Sequence, residues 1–341
     1  MSTSDARSII ADPNWMALRY ERARRAFHFV YLPRKERRAY HLLTHVDLAK
    51  VKRAIVPRDA AMAHAPQPVP LHAILHCGLG GSTLLADALD LPGRITVLKE
   101  PPLLNDLVGD TVRSGRSDEA LLNLSLALLA RPFSPKEVVV AKASGPANAL
   151  LADIATRNHS MRTICQIMPL DRWLATAARK GLAGRLWGRR LLIGLNNGGQ
   201  VPLELNDSEL SAMTDLQMAA MGWLSITHHM HRVRMVRGPK QLLVSRSEAL
   251  FERPERTVGE VADFLDDRGT SLPPLPPELL SVHAKTREPY SPGQRRGEIE
   301  AALTTHGKEI DLLVRWAEET ARRLDIPMDL DGQASREPVV A

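Results

Sequence analysis

Apolar residues along most of this chain come in short runs separated by stretches with helical spacing, and that alternation predicts an α/β fold. The clearest unit begins at residues 71–77 (LHAILHC), an apolar run bounded by glycine, and continues into residues 82–89 (STLLADAL) with helical spacing. It reads as strand, tight loop, helix. Residues 95–98 form the next predicted strand, helical spacing covers 103–129, and residues 137–141, 161–168 and 241–244 supply three further apolar runs. Strands separated by helices over this length predict a parallel sheet with helices on both faces. Between the last two strands, residues 171–237 are mostly helical in pattern and read as an insertion or lid.

The ends are less regular. Residues 26–32 (AFHFVYL) predict a strand and residues 34–45 a charged helix with Leu42 and Leu43 inward, while 61–70 (AMAHAPQPVP) looks like a connection. Residues 271–277 (SLPPLPP) form a stiff linker, for which an SH3-type ligand role is disfavoured, before a late amphipathic helix near 299–324. The expected organisation is a partly helical N-terminal extension (1–70), one α/β domain (71–330) with its helical insertion (171–237), and a fraying tail (331–341). No internal repeat is visible.

At 341 residues and 44% hydrophobic content the chain can bury a large core. Its formal net charge of +6 favours anionic partners. The basic groups, such as Arg22, Arg24, Arg25 and Lys35, Arg37, Arg38, are short and scattered, which fits solvated helix faces better than a specific nucleic-acid stripe. Cys77 and Cys165, the two cysteines, sit in apolar runs and read as buried thiols. There is no apolar h-region near the start and no run long enough to span a membrane, so a cytoplasmic location is the expectation.

The richest chemistry lies in the loop Cys77, Gly78, Leu79, Gly80, Gly81, Ser82, Thr83. Three glycines between a buried strand and a helix start leave free backbone N–H groups and the positive end of the helix dipole facing one place, and Ser82 and Thr83 add hydroxyl donors there. The alternative is a tight turn that needs glycine only for packing. A Walker A loop requires Lys before Ser or Thr after the last glycine, and none is present, which disfavours an ordinary ATPase or kinase. A dinucleotide fingerprint stays in contention, with Gly78 and Gly80 correctly spaced and Glu100 near the expected acidic position, although Thr83 stands where glycine or alanine belongs.

The loop and helix Leu79-Gly80-Gly81-Ser82-Thr83-Leu84-Leu85 resemble the phosphosulfate-binding loop of the sulfotransferase superfamily, a P-loop fold of the nucleoside triphosphate hydrolase type. The protein-tyrosine branch of that superfamily carries a catalytic Glu about nineteen residues after the loop glycine, and Glu100 stands 19 residues after Gly81. Residues 138–142, a strand ending in Lys142, are similar to a family strand, as are 242–250 with 254–265 to its late strand and helix. Tyr290, Ser291, Pro292 and Arg295 resemble a C-terminal element that closes over the cofactor. The resemblance covers residues 71–296 and departs from the family pattern twice. Leu79 replaces the loop cation, and Met168-Pro169 stands where a 3′-phosphate-binding Arg belongs, leaving Arg172 and Thr176, four apart on one helix face, to substitute. Alternatively Asp171 caps that helix and Arg172 is solvated.

The resemblance implies transfer of a sulfuryl group from a 3′-phosphoadenosine 5′-phosphosulfate donor to a hydroxyl or amine acceptor, without a metal. Glu100 would take the acceptor proton, and the cofactor would sit on Gly78, Leu79, Gly80, Gly81, Ser82, Thr83, Arg172, Thr176 and Arg295. Lys142 can supply the missing loop charge or stay exposed at its strand end, and Arg287, Arg295 and Arg296 can reach a cofactor phosphate or remain at the surface. His228, His229 and His231 lack further ligands nearby and read as structural or solvated, and His72 and His76 as packed side chains, His76 close to the loop. No Gly-x-Ser-x-Gly elbow supports Ser-His-Asp chemistry. The alternatives are a dinucleotide-binding oxidoreductase and a non-catalytic nucleotide-binding relative of sulfotransferases.

Overall fold

The computed structural model describes residues 3–268, 272–284, 286 and 288–330. Arg287 and the tail 331–341 lie outside them. The chain runs α1 (Thr3–Ala11), β1 (Trp15–Glu21), β2 (Ala26–Tyr31), α2 (Arg34–Ala39), a 3-10 turn (Leu43–His45), β3 (Arg53–Pro57) and α3 (Arg58–Ala63). Next come β4 (Leu71–His76), α4 (Ser82–Leu89), β5 (Ile95–Lys99), α5 (Pro102–Ser114), α6 (Glu119–Leu129), β6 (Val138–Lys142), α7 (Ala147–Arg157) and β7 (Thr163–Ile167). The rest is α8 (Leu170–Arg179), α9 (Gly181–Asn197), α10 (Asp207–Ala212), α11 (Asp215–Val236), β8 (Leu242–Arg246), α12 (Ser247–Glu252), α13 (Pro254–Leu265), α14 (Pro277–Ser281) and α15 (Pro292–Arg323).

Five strands pair in parallel in the order β5-β6-β4-β7-β8. Alternate side chains feed two cores, as a period of two requires. Ile74, Val97, Val140 and Ile164 pack with Leu85 and Leu89 of α4 and Val258 and Leu265 of α13 on one face. Leu75, Leu98, Ala141 and Cys165 pack on the other face into a core shared with α7, α8 and α11. Every residue of β4, β5 and β7 is buried, so the strands are mainly apolar and show no regular polar alternation. The strand order separates this fold from the dinucleotide-binding one, in which the first two strands lie side by side. Here β6 intervenes between β4 and β5.

The opening of the chain is a three-stranded antiparallel sheet, β1-β2-β3. Only β2 is legible in the pattern. A register shift between Ala17 and Arg19 breaks the alternation of β1, and β3 buries Val56 alone. The helix expected over 34–45 stops at Ala39, and Arg37 is not solvated. It is buried, donates to the carbonyls of Pro13 and Leu32, stacks 4.8 Å above the Phe133 ring, and is pushed by burial down to about 9. The expected stretch 103–129 divides where Gly115, at φ +69°, ends α5 and the Asp118 carboxylate accepts from the Leu121 N–H at the start of α6. Helices α8 to α11 fill the region between β7 and β8, and α11 is buried along most of its length. α15 begins at Pro292, earlier than its apolar spacing indicated, because Ser291 caps it by accepting from Gln294 N–H.

Candidate functional site

The loop between β4 and α4 is held open from behind. Trp173 Nε1 donates to the carbonyls of Cys77 and Gly78, both at 3.1 Å, and Gln166 Nε2 donates to Gly80 O at 3.0 Å. With these carbonyls occupied, the N–H groups of Gly81, Ser82, Thr83 and Leu84 are the first of the helix and find no acceptor among the described residues. Gly81, the N-cap, sits at φ +82°, and an added Cβ would lie 2.7 Å from the Phe251 ring. A Cβ on Gly80 would fall 2.4 Å from Ser247 Oγ. Leu79 holds φ +56°, a conformation that costs a non-glycine residue about 1–2 kcal/mol. Thr83 is 4% exposed, and its Oγ1 is buried with no partner. An unpaired buried hydroxyl beside unpaired helix N–H groups is a set of donors arranged for an anion.

This loop forms one wall of a cavity of about 620 Å³. Glu100 enters it from the end of β5, and its backbone is also left-handed, at φ +56°. The Glu100 N–H donates to Lys142 O at 3.0 Å and its carboxylate pairs with Lys142 Nζ. Lys142 is 1% exposed and does not line the cavity. The expectation that it stays exposed at its strand end is therefore corrected: the C-terminal ends of β5 and β6 are buried, and its ammonium pairs with Glu100. His76 completes the group, with Nε2 4.0 Å from Glu100 Oε1. Its tautomer follows from its neighbours: Nδ1 accepts from Gly78 N–H at 2.9 Å, so the proton sits on Nε2, which donates to Ala143 O at 2.7 Å. His76 thus ties the loop to Ala143, just beyond the end of β6.

The other charged groups lining the cavity are Arg179, Lys180, Arg190 and Arg295, alongside the apolar Leu42, Leu79, Trp187 and Ile226. Arg295 is buried, lies 4.1 Å over the Phe251 ring, and is lowered from its usual range chiefly by desolvation. Glu298 joins Arg179 (2.8 Å) to the Tyr290 hydroxyl (2.6 Å), which burial and that hydrogen bond push up to about 12. Of the helix pair proposed for a 3′-phosphate, Thr176 lines the cavity but its hydroxyl donates to Arg172 O at 2.8 Å. Arg172 lines an adjoining groove of about 380 Å³ with Arg295, Arg296 and Glu248. Pro169, not Asp171, is the N-cap of α8. Continuing the Arg172–Thr176 spacing by one turn reaches Arg179 and Lys180, so those two cations were within reach of the sequence. Arg190 had no local signal.

His228, His229 and His231 do not form a site. His229 is buried, donates from Nε2 to Gln200 O, and is pushed down to about 4 by desolvation. Among the described residues no group of three or more His, Cys, Asp or Glu could hold a metal ion. Both cysteines are free and buried, and burial pushes the Cys77 thiol up to about 12. No helix is long and apolar enough to cross a membrane.

No protein-family model matches the chain, and no curated protein matches it. Solved structures similar to it include two sulfotransferases. A sulfotransferase domain from the curacin biosynthetic pathway is 17% identical over 77% of this chain and 100% of its own, with a TM-score of 0.42. A sulfotransferase from Alicyclobacillus acidocaldarius is 12% identical over 73% of this chain and 96% of its own, with a TM-score of 0.39. Both scores are low, and the chemistry of the site is set by this chain's own residues.

Proposed function

We propose that the cavity takes a 3′-phosphoadenosine 5′-phosphosulfate donor and that the protein transfers its sulfuryl group to a hydroxyl or amine acceptor. One observation carries the reading: unpaired loop N–H groups and a buried, unpartnered Thr83 hydroxyl lie in the wall of a cavity whose charged lining is cationic except for a single carboxylate, Glu100. The loop donors would hold the phosphosulfate oxygens, and Arg179, Arg190 and Arg295 would provide the charge that Leu79 lacks. The groove at Arg172 and Arg296, which meets the cavity at Arg295 and Phe251, would receive the 3′-phosphate. Glu100 would accept the acceptor's proton as its oxygen or nitrogen bonds to sulfur, while the sulfur–oxygen bond to the 5′-phosphate breaks and the electron pair departs onto that phosphate. Lys142, as a positioning residue, would fix the Glu100 carboxylate, and the cost of burying Lys142 is offset only while Glu100 faces it.

Thermal shifts with adenosine 3′,5′-bisphosphate, NAD, NADP and ATP test the binding step. A ligand at a hundred times its dissociation constant adds about 2.7 kcal/mol. Stabilisation by the bisphosphate alone, with bisphosphate released from the phosphosulfate donor when alcohol, phenol or amine acceptors are added, is the expected result. Stabilisation by NAD or NADP alone refutes the reading. A bisphosphate shift without turnover for any acceptor assigns the chain to nucleotide binding without catalysis, the alternative that Leu79 in the loop favours.

A further inference from the structure

The strand order β5-β6-β4-β7-β8 divides the cavity about its loop, which follows the central strand. On the β7-β8 side lie Thr176 of α8, Phe251 of α12 and Arg295 stacked against it, next to the groove given above to the 3′-phosphate. On the β5-β6 side lie Glu100 and the turn 144–146, which follow the ends of β5 and β6. Helix α9 crosses from one side to the other. Ala183, Trp187 and Leu191, at i, i+4 and i+8, share one face of it and line the cavity. Trp187 sits over the loop, with Cη2 2.9 Å from where a Cβ on Gly78 would be. Leu191 sits over the turn after β6, with Cδ1 2.9 Å from where a Cβ on Gly145 would be.

The Glu100 side of the cavity is apolar. Leu191 of α9 and the fully buried Ile226 of α11 line it, with Pro146 from the turn and Leu42 from the N-terminal segment. That segment is anchored at the end of β5, where Lys99 Nζ donates to Arg38 O at 2.9 Å. The Ser144 hydroxyl is already committed: it donates to Asn105 Oδ1 and accepts from Ala147 N–H at 3.3 Å. A sugar placed here would give up water around its hydroxyls without gaining partners, a cost that each further hydroxyl repeats. An ammonium group finds no surplus negative charge either, because Glu100 is balanced by Lys142 and Arg190 adjoins Leu191 on α9.

We infer that the acceptor is an uncharged hydroxyl compound with an apolar body, an alkyl alcohol or a phenol, and that Leu42 and Leu191 set the size it can have. The inference rests on the sulfuryl-transfer reading above and narrows its acceptor. The acceptor oxygen bonds to sulfur and its proton passes to Glu100. The sulfur–oxygen bond to the 5′-phosphate breaks with its electron pair leaving on that phosphate, giving a sulfate ester and adenosine 3′,5′-bisphosphate. The apolar body lies along Leu42, Leu191 and Ile226, where each added methylene leaves water.

The test offers the full chain straight-chain primary alcohols from ethanol to octanol, phenol and its 4-alkyl derivatives, glucose and hexylamine. Two quantities are measured: kcat/KM from bisphosphate release by the phosphosulfate donor, and the affinity of each compound for the bisphosphate complex by calorimetry, which reads the pocket without turnover. Both are expected to rise roughly fourfold per methylene until the space is filled, and the alcohol and phenol series show which body fits better. Glucose and protonated hexylamine should fall roughly a hundredfold below hexanol. Leu42→Ala and Leu191→Ala should each raise the hexanol KM roughly tenfold while the bisphosphate dissociation constant holds. Leu42 is half-buried at the chain's edge of the cavity, so its variant reports even where Leu191→Ala fails to fold. With bisphosphate bound, a flat series, a preference for glucose or hexylamine, or folded variants with an unchanged hexanol KM overturns the inference and leaves the sulfuryl-transfer reading standing. A chain that neither binds the bisphosphate nor consumes the donor overturns both.

Discussion

Thr83→Val should raise the stability of the ligand-free protein and lower its affinity for an anionic nucleotide, two effects of opposite sign from one hydroxyl. Thr83 is 4% exposed and its Oγ1 has no partner. A buried hydroxyl left without a hydrogen bond costs about 1–3 kcal/mol. Valine keeps the shape and the β-branch, and its helix propensity is close to that of threonine, so the exchange removes the penalty while adding little else. A gain of about 1 kcal/mol corresponds to roughly 2–4 °C in melting temperature for a larger domain. In the complex the same hydroxyl would donate to a phosphate or sulfate oxygen, and a hydrogen bond to a charged group contributes about 1.5–3 kcal/mol. The bisphosphate should therefore bind roughly ten- to a hundredfold more weakly. Urea unfolding of the free protein and calorimetric titration with adenosine 3′,5′-bisphosphate measure the two effects separately. A destabilised free protein with unchanged affinity refutes the reasoning: the hydroxyl would then be a structural group and the loop would hold its ligand elsewhere.

Glu100→Gln and Lys142→Met should each destabilise the fold, Glu100→Gln by weakening the partner of a buried ammonium, while the double variant loses less than the two single losses combined, because breaking a buried pair on one side costs about 3–5 kcal/mol and replacing both sides costs far less. A strictly additive cycle in urea unfolding would show that the pair does not couple. His72 and His229 are held neutral by burial, lowered from 6.5 to about 4, so the unfolded chain binds protons in that window that the folded chain refuses. Their contribution is complete above pH 6.5 and is lost as the pH falls towards 4, and the double variant His72→Gln, His229→Gln should flatten the slope of stability against pH across that range. An unchanged slope in urea melts would place the protons on other groups.

The local units of this fold are written in the residue string, because they depend on patterns that short segments contain. The central strands are legible there as short, mainly apolar runs, since β4, β5 and β7 are buried along their whole length. Gly78, Gly80 and Gly81 announced a loop before a helix, and the structure supplies the separate steric reasons: a left-handed backbone at Gly81 and a close side chain at Gly80. How segments far apart meet is settled in three dimensions alone. Nothing local places β6 between β4 and β5, yet that order separates this fold from the dinucleotide-binding one. Glu100 and Lys142 each looked like a strand-end charge, and only the pairing of β5 with β6 makes them one buried ion pair. Arg37 sits in a run of charges that reads as solvated, and it is buried because carbonyls of Pro13 and Leu32 and the Phe133 ring converge on it from distant positions. Periodicity and capping are encoded within a few residues, whereas the partner of a buried charge is chosen by packing across the whole chain.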